Sequence, residues 1–185
     1  MKAWFVCEGV LIGLALSLIA TGCDSENDET PVPPTGFVTR WKTDVAGDKV
    51  ETRRRQIRLP LHVGGTYDFV VSWGDGREDK ITEYNQKEIT HTYRLRGEYE
   101  VRIVGVCEGF GFGYDSTSFT STGDCAKLLD VSQWRAVKLH DEGHQFNHCA
   151  NLSGFSASDK PDLSDITDMN HMFWSARLFN GDIGS

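Results

Sequence analysis

Three stretches alternate polar and apolar residues with the period of two that a half-buried strand imposes. Gln56-Ile57-Arg58-Leu59-Pro60-Leu61 is the first, and Thr66 to Trp73, rich in aromatic and β-branched residues, is the second. The third is Gly97–Val104, where Tyr99, Val101 and Ile103 share one face and Glu98, Glu100 and Arg102 the other. No segment from Phe37 to Gly105 carries a helical period. The pattern predicts an antiparallel β-sandwich over 37–105, apolar within and charged without.

Beyond it the pattern changes from alternation to repetition. Leu139, Asp141, His144, Phe146, Cys149 and Leu152 recur 27 residues later as Ile166, Asp168, His171, Phe173, Ala176 and Phe179. Glu142 against Met169 breaks the match, and Asp130-Val131-Ser132 echoes Asp182-Ile183-Gly184 at an unequal spacing. Such periods mean stacked units, each too small to bury its own apolar face. Each unit is predicted to hold a short strand, around 137–139 and 165–167, and a helical turn or two carrying Phe146 or Phe173. About two units are complete, and a solenoid wants roughly three. A fragment of a longer array, or a chain that associates through its apolar end, is therefore expected.

The amino-terminal stretch reads as an address. Lys2 precedes an apolar run, Val10–Ala20, too short for a membrane span of about 20 residues. Ile19-Ala20-Thr21-Gly22-Cys23 resembles the lipobox of bacterial lipoproteins, although Ala20 stands where Leu is commoner and Glu8 interrupts the segment. The resemblance implies cleavage after residue 22 and a lipid on Cys23, which would attach the protein to a membrane. The remaining 163 residues keep the net charge of −8, because Lys2 and Glu8 leave together. Residues 23–36 combine acids with Pro31, Pro33 and Pro34 and offer almost nothing to bury, which predicts a disordered tether.

Val71-Ser72-Trp73-Gly74-Asp75-Gly76, then His91-Thr92-Tyr93, then Gly97-Glu98-Tyr99-Glu100-Val101 resemble the polycystic-kidney-disease (PKD) domain, an Ig-like sandwich. Trp73 would fill the core, Asp75-Gly76 would make a tight turn, and Tyr93 and Tyr99 would add large apolar bodies with polar tips. The segment Lys160-Pro161-Asp162-Leu163-Ser164-Asp165-Ile166-Thr167-Asp168-Met169-Asn170-His171-Met172-Phe173, continuing through Ala176 to Phe179-Asn180-Gly181-Asp182-Ile183, resembles the BspA-type leucine-rich repeats of bacterial surface proteins. Leu128 to Leu152 resembles a degenerate first repeat. Together the resemblances imply a mainly β chain: a PKD-like sandwich (37–105), a connecting segment (106–127) and a short leucine-rich-repeat-like α/β solenoid (128–185).

The residues suggest little catalysis. Asp75 and His91 read as turn chemistry and a strand-end histidine rather than a reactive pair, with Asp75 and Asp79 as remote calcium candidates. His140, His144 and His148, followed by Cys149, have the residue types of a zinc site, but His140 falls at a strand end and Cys149 aligns with the small core residue Ala176. Gly109-Phe110-Gly111-Phe112-Gly113 lacks the helix and Lys-Ser/Thr of a phosphate loop and reads as a link between domains. Cys107 and Cys125 flank a Gly/Ser/Thr-rich stretch and stand where a disulfide would close in an oxidising compartment; three buried, reduced thiols are the alternative. The acidic balance excludes a nucleic-acid partner. No cofactor is expected. The BspA resemblance implies adhesion to host or extracellular proteins or to other cells, with a structural spacer or a carbohydrate-binding module as rivals; a row of exposed aromatics would favour the last.

Overall fold

Trp41, Trp73, Tyr93, Phe37, Phe69, Phe110, Phe112 and Phe146 are all essentially inaccessible and belong to one core that reaches from Phe37 to Met172. The computed structural model describes residues 36–45, 52–115, 120–121, 123–135 and 137–183. The expected signal segment, Cys23 and nearly all of the expected tether lie outside the described residues.

Among the described residues eleven strands follow in order: β1 (Phe37–Lys42), β2 (Gln56–Arg58), β3 (Leu61–Ser72), β4 (Glu78–Ile81), β5 (Thr90–Thr92), β6 (Glu98–Phe110), β7 (Tyr114–Asp115), β8 (Thr120–Ser121), β9 (Leu128–Gln133), β10 (Val137–Leu139) and β11 (Gly154–Phe155). Seven of them form a mixed sheet in the order β11-β9-β1-β6-β3-β4, with β10 parallel to β6. β2 and β5 form a separate antiparallel pair, as do β7 and β8. The fold is mainly β, and the described residues hold only two short 3-10 turns, Lys87–Ile89 and Cys125–Lys127.

The alternating stretches are strands, with instructive differences at their ends. Gln56 to Leu61 is not one strand. It stops at Arg58, and after Pro60, which has no N–H to give a ladder, β3 begins in the larger sheet. β6 runs on past Gly105 to Phe110, so the expected boundary at residue 105 falls inside a strand. Phe110 and Phe112 are fully buried, and β9, expected to open a separate repeat array, pairs antiparallel with β1. The segment 106–127 thus carries core residues and a sheet strand rather than a simple connection. The described residues all belong to one compact unit.

The repeating half forms two successive coils. The first runs from β10 through the turn at Gln145–His148 to β11, and the second follows it over 166–183. Neither turn is a helix. His144, His148, His171 and Ser175 all have φ between +56° and +60°, so the chain turns through left-handed residues at matching positions of the two coils. The expected strand at 165–167 is likewise not formed. Three bonds join the coils on one side, from His144 N to Asn170 O (2.8 Å), Phe146 N to Met172 O (2.9 Å) and His148 N to Trp174 O (2.8 Å). On the other side Ser153 N bonds Leu129 O and Asn180 N bonds Ser153 O. There the coils approach so closely that a Cβ on Gly181 would lie 3.0 Å from the Gly154 Cα.

This second ladder explains the unequal echo between Asp130 and Asp182. Ser156 occupies the place midway between them, and its N–H and hydroxyl both donate to the Asp130 carboxylate, at 2.9 and 2.5 Å. A serine in place of the aspartate hides the middle member of the series.

Candidate binding face on the coils

The Trp-Gly-Asp-Gly cluster is built for packing. Trp73 is fully buried, its indole N–H donates to Asp79 (2.8 Å), and its carbonyl accepts from the Tyr93 hydroxyl (3.0 Å). Gly74 (φ +78°) and Gly76 (φ +84°) supply the left-handed backbone of the turn. His91 lies flat on Trp73, with centroids 4.8 Å apart, and donates to Asp75 (3.0 Å). Burial works against the Asp75 carboxylate, but the His91 bond and the Arg77 N–H hold its carboxyl below the usual range. Tyr93 stacks on Tyr99, and Gly97 exchanges bonds with Thr43. Asp75 and Asp79 are thus bonded to His91 and Trp73, respectively.

The four residues of the zinc-like pattern are not brought to one point. Left-handed backbone at His144 and His148 breaks the helix that would have aligned them. His140 turns inward, stacks on His62 (4.8 Å) and has its pKa pushed down to about 4 by burial and then by His62. Cys149 is fully buried, and its thiol is pushed well up by burial. Among the described residues no cluster of three His, Cys, Asp or Glu side chains is arranged to hold a metal ion. Cys107 and Cys125 are buried and are not joined by a disulfide in the structure.

What the coils do assemble is a row of rings. His144 stacks on His171 (5.0 Å, 6° between planes), His148 meets Trp174 edge-on at 5.1 Å, and His171 meets Trp174 at 5.5 Å. The repeat places equivalent residues one above another, so a 27-residue period in sequence becomes a ladder in space. His144 and His148 are half-buried, whereas His171 is exposed and Trp174 is 51% exposed. Beneath the row, Phe146 is fully buried and stacks on Phe173, which stacks on Phe179 (4.2 Å). Met172 is buried, Ala176 half-buried and Met169 exposed.

Polar contacts fix the spacing of the ladder. Asp141 accepts from Thr167 N, Thr167 Oγ1 and Asp168 N, and these bonds, the Thr167 hydroxyl first, hold its carboxyl below the usual range. Gln145 Nε2 bridges His140 O and Asp168 O. Sequence reading paired His144 with His171 as repeat equivalents and weighed only His140, His144, His148 and Cys149 as a remote zinc pattern. The offset of 27 between His144 and His171, the same as that of Phe146 and Phe173, was the signal that they stack.

Two grooves border the coils. One, of about 520 Å³, is lined by residues that include Val106, Trp134, Arg135, Lys138 and Lys160. The other, of about 420 Å³, is lined by His62, Glu108, Lys138, His140, Glu142 and neighbours. In the second, His62 is engaged with Glu142 (3.0 Å) and Lys138 with Asp165 (2.8 Å), which leaves no convergent reactive set. Among the described residues no helix is long and apolar enough to cross a membrane. No protein-family model matches the chain, and neither do any curated protein or solved structure with which it was compared.

Proposed function

We propose that this chain is a lipid-anchored bacterial surface protein that binds protein or cell partners through the ring-lined face of its coils. The reading joins the lipobox-like segment at Cys23, a PKD-like sandwich around Trp73 and BspA-type repeats over 128–185. The observation that carries it is the His144/His171 and His148/Trp174 ladder. An indole half open to solvent beside an exposed imidazole presents a broad apolar surface with a polar tip, and aromatic side chains dominate the affinity of recognition surfaces. Its rigid backing, Phe146 on Phe173, holds the row in place before any partner arrives, which lowers the entropic cost of binding.

A second reading has its own support. Trp174 offers a flat apolar surface with imidazole donors alongside, a combination suited to a sugar ring. Carbohydrate capture is therefore the alternative to protein adhesion. A spacer role has no use for such a row.

The test is binding of the full chain to arrays of extracellular-matrix proteins and of glycans, repeated with Trp174→Ala. Saturable binding to matrix proteins that survives physiological salt and falls at least tenfold in the variant supports adhesion. The same loss confined to glycans moves the assignment to carbohydrate. Binding to neither array overturns both.

A further inference from the structure

Six arginines gather where three turns meet, at the end of the molecule held by the β2–β5 pair. Arg53, Arg54 and Arg55 lead into β2, Arg94 and Arg96 follow β5, and Arg77 precedes β4. Hydrogen bonds tie the turns together. Tyr93 N donates to Arg55 O (2.7 Å), Arg55 Nη1 to Arg94 O (3.3 Å) and Arg77 Nη1 to Thr92 O (3.4 Å). All six arginines are exposed, and none forms an ion pair with a described carboxylate. The acids around them are committed elsewhere. Asp75 bonds His91, Glu78 bonds Ser72, Asp79 bonds Trp73, Glu98 pairs with Arg40 and Glu100 with Arg102. Asp44, exposed beside the turn that Thr43 bonds to Gly97, offsets one of the six. A chain of net charge −8 thus has one strongly positive end. Leu95 stands between Arg94 and Arg96 and is 67% exposed, the most open of the large apolar residues described. Its carbonyl accepts from the Tyr99 hydroxyl (3.0 Å), and Tyr99 stacks on Tyr93, which braces the tip from behind.

We propose that this end docks on an anionic phospholipid surface, with the arginines against headgroup phosphates and Leu95 in the acyl boundary. Charge, shape and the exposed leucine select that occupant. The planar guanidinium fork matches phosphate oxygens, and six of them without acidic partners call for a dense anion. The arginines lie on turn tips, and none lines either groove beside the coils, whereas a peptide ligand needs a groove or a strand edge. Leu95 is exposed in the middle of the charge, and a membrane interface offers phosphate and an apolar phase together. A sulfated polysaccharide would satisfy the arginines and give Leu95 nothing to enter. The contact is separate from the ring-lined face of the coils and needs no lipid on Cys23.

The probe is vesicles of phosphatidylglycerol and phosphatidylcholine in equal parts, beside vesicles of phosphatidylcholine alone. The protein is the full chain carrying Cys23→Ser, so that no lipid can be attached. Tighter binding to the anionic vesicles, weakening as salt rises, is expected. Arg94→Gln combined with Arg96→Gln is expected to lower it about thirtyfold, each arginine near such a surface giving about a factor of five. Leu95→Asn keeps the charge and is expected to lower it about fivefold. Hydrogen exchange at the amides of residues 94–97 reads the contact locally and without any variant. Slowing by the anionic vesicles alone is expected, and equal exchange with both vesicle types overturns the proposal. Binding indifferent to the arginine pair or to Leu95 overturns it too. So does an affinity for heparin that equals the vesicle affinity and ignores Leu95→Asn, because soluble polyanions would then be the ligand.

Discussion

His144 and His171 lie ring over ring, 5.0 Å apart and 6° from parallel, and both hold left-handed backbone at φ near +60°. Such a conformation costs a non-glycine residue about 1–2 kcal/mol, and a stacked ring pair returns about 0.5–1.5 kcal/mol. His144→Ala loses the stack and keeps the strain, whereas His144→Gly loses the stack and sheds the strain. The glycine variant is expected to be more stable than the alanine variant by about 1 kcal/mol. Ser175 has the same backbone without a ring to stack, so Ser175→Gly is expected to stabilise the protein by about 1 kcal/mol. Urea midpoints at constant m-value check all three.

Acid is expected to weaken the junction between sheet and coils. Burial, and then the neighbouring His62, push the His140 pKa from 6.5 down to about 4. Burial, and then His171, lower that of His144, with Asp168 opposing. In both cases the folded protein prefers the neutral ring, so the unfolded chain takes up the proton first. The stabilisation is whole above about pH 6.5 and drains away as pH falls towards 4. For His140 the loss across that window is on the order of 3 kcal/mol. Urea unfolding at pH 7 and pH 4.5 measures it, and His140→Gln is expected to remove most of the difference. An equal slope in the variant would assign the acid sensitivity to other groups.

These histidines also mark how far the sequence could be read. The offset of 27 announced that His144 and His171 are equivalent, and period-two alternation located β3 and β6. The turn at Asp75-Gly76 was legible because glycine advertises left-handed backbone. His144, His148, His171 and Ser175 adopt that backbone without advertising it, so their segments read as helical turns. The antiparallel pairing of β9 with β1 was hidden for another reason. It joins residues about 90 apart, such as Thr39 and Val131, and no local pattern encodes the choice of a distant partner. The core residues Phe110 and Phe112 were disguised by Gly109, Gly111 and Gly113 around them, which look like a linker.

The cysteines are expected to be silent in the folded protein. Cys107, Cys125 and Cys149 are buried, and no disulfide joins them. Burial, and then Glu108, push the Cys107 thiol far up, and burial raises that of Cys149. The thiolate is the reactive form, so neither attacks a disulfide reagent at neutral pH. Iodoacetamide labelling followed by peptide mass spectrometry is expected to modify none of the three in native protein and all three after denaturation without reductant. A Cys107–Cys125 peptide linked by a disulfide would show that this pair is oxidised in the protein.

Lys127 and Asp124 form the most consequential polar contact in the core. Both side chains are fully buried, with Nζ 3.4 Å from Oδ2. Lys127 also donates to Thr52 Oγ1 (2.7 Å), Arg53 O (3.0 Å) and Gln56 O (2.8 Å). Asp124 accepts from Thr52 N, Thr52 Oγ1 and Arg58 N. The pair therefore ties the segment leading into β2 to the turn that leads into β9. Burial lowers the Lys127 pKa and Asp124 pulls it back, so each charge depends on the other. Removing one partner strands the second, and Lys127→Met alone is expected to cost about 3–5 kcal/mol. Lys127→Met combined with Asp124→Asn leaves no stranded charge and is expected to cost clearly less than the sum of the two single changes. A double-mutant cycle by urea unfolding reads the coupling. Strict additivity would mean that the two groups act independently, their network of carbonyl and N–H partners sufficing for each.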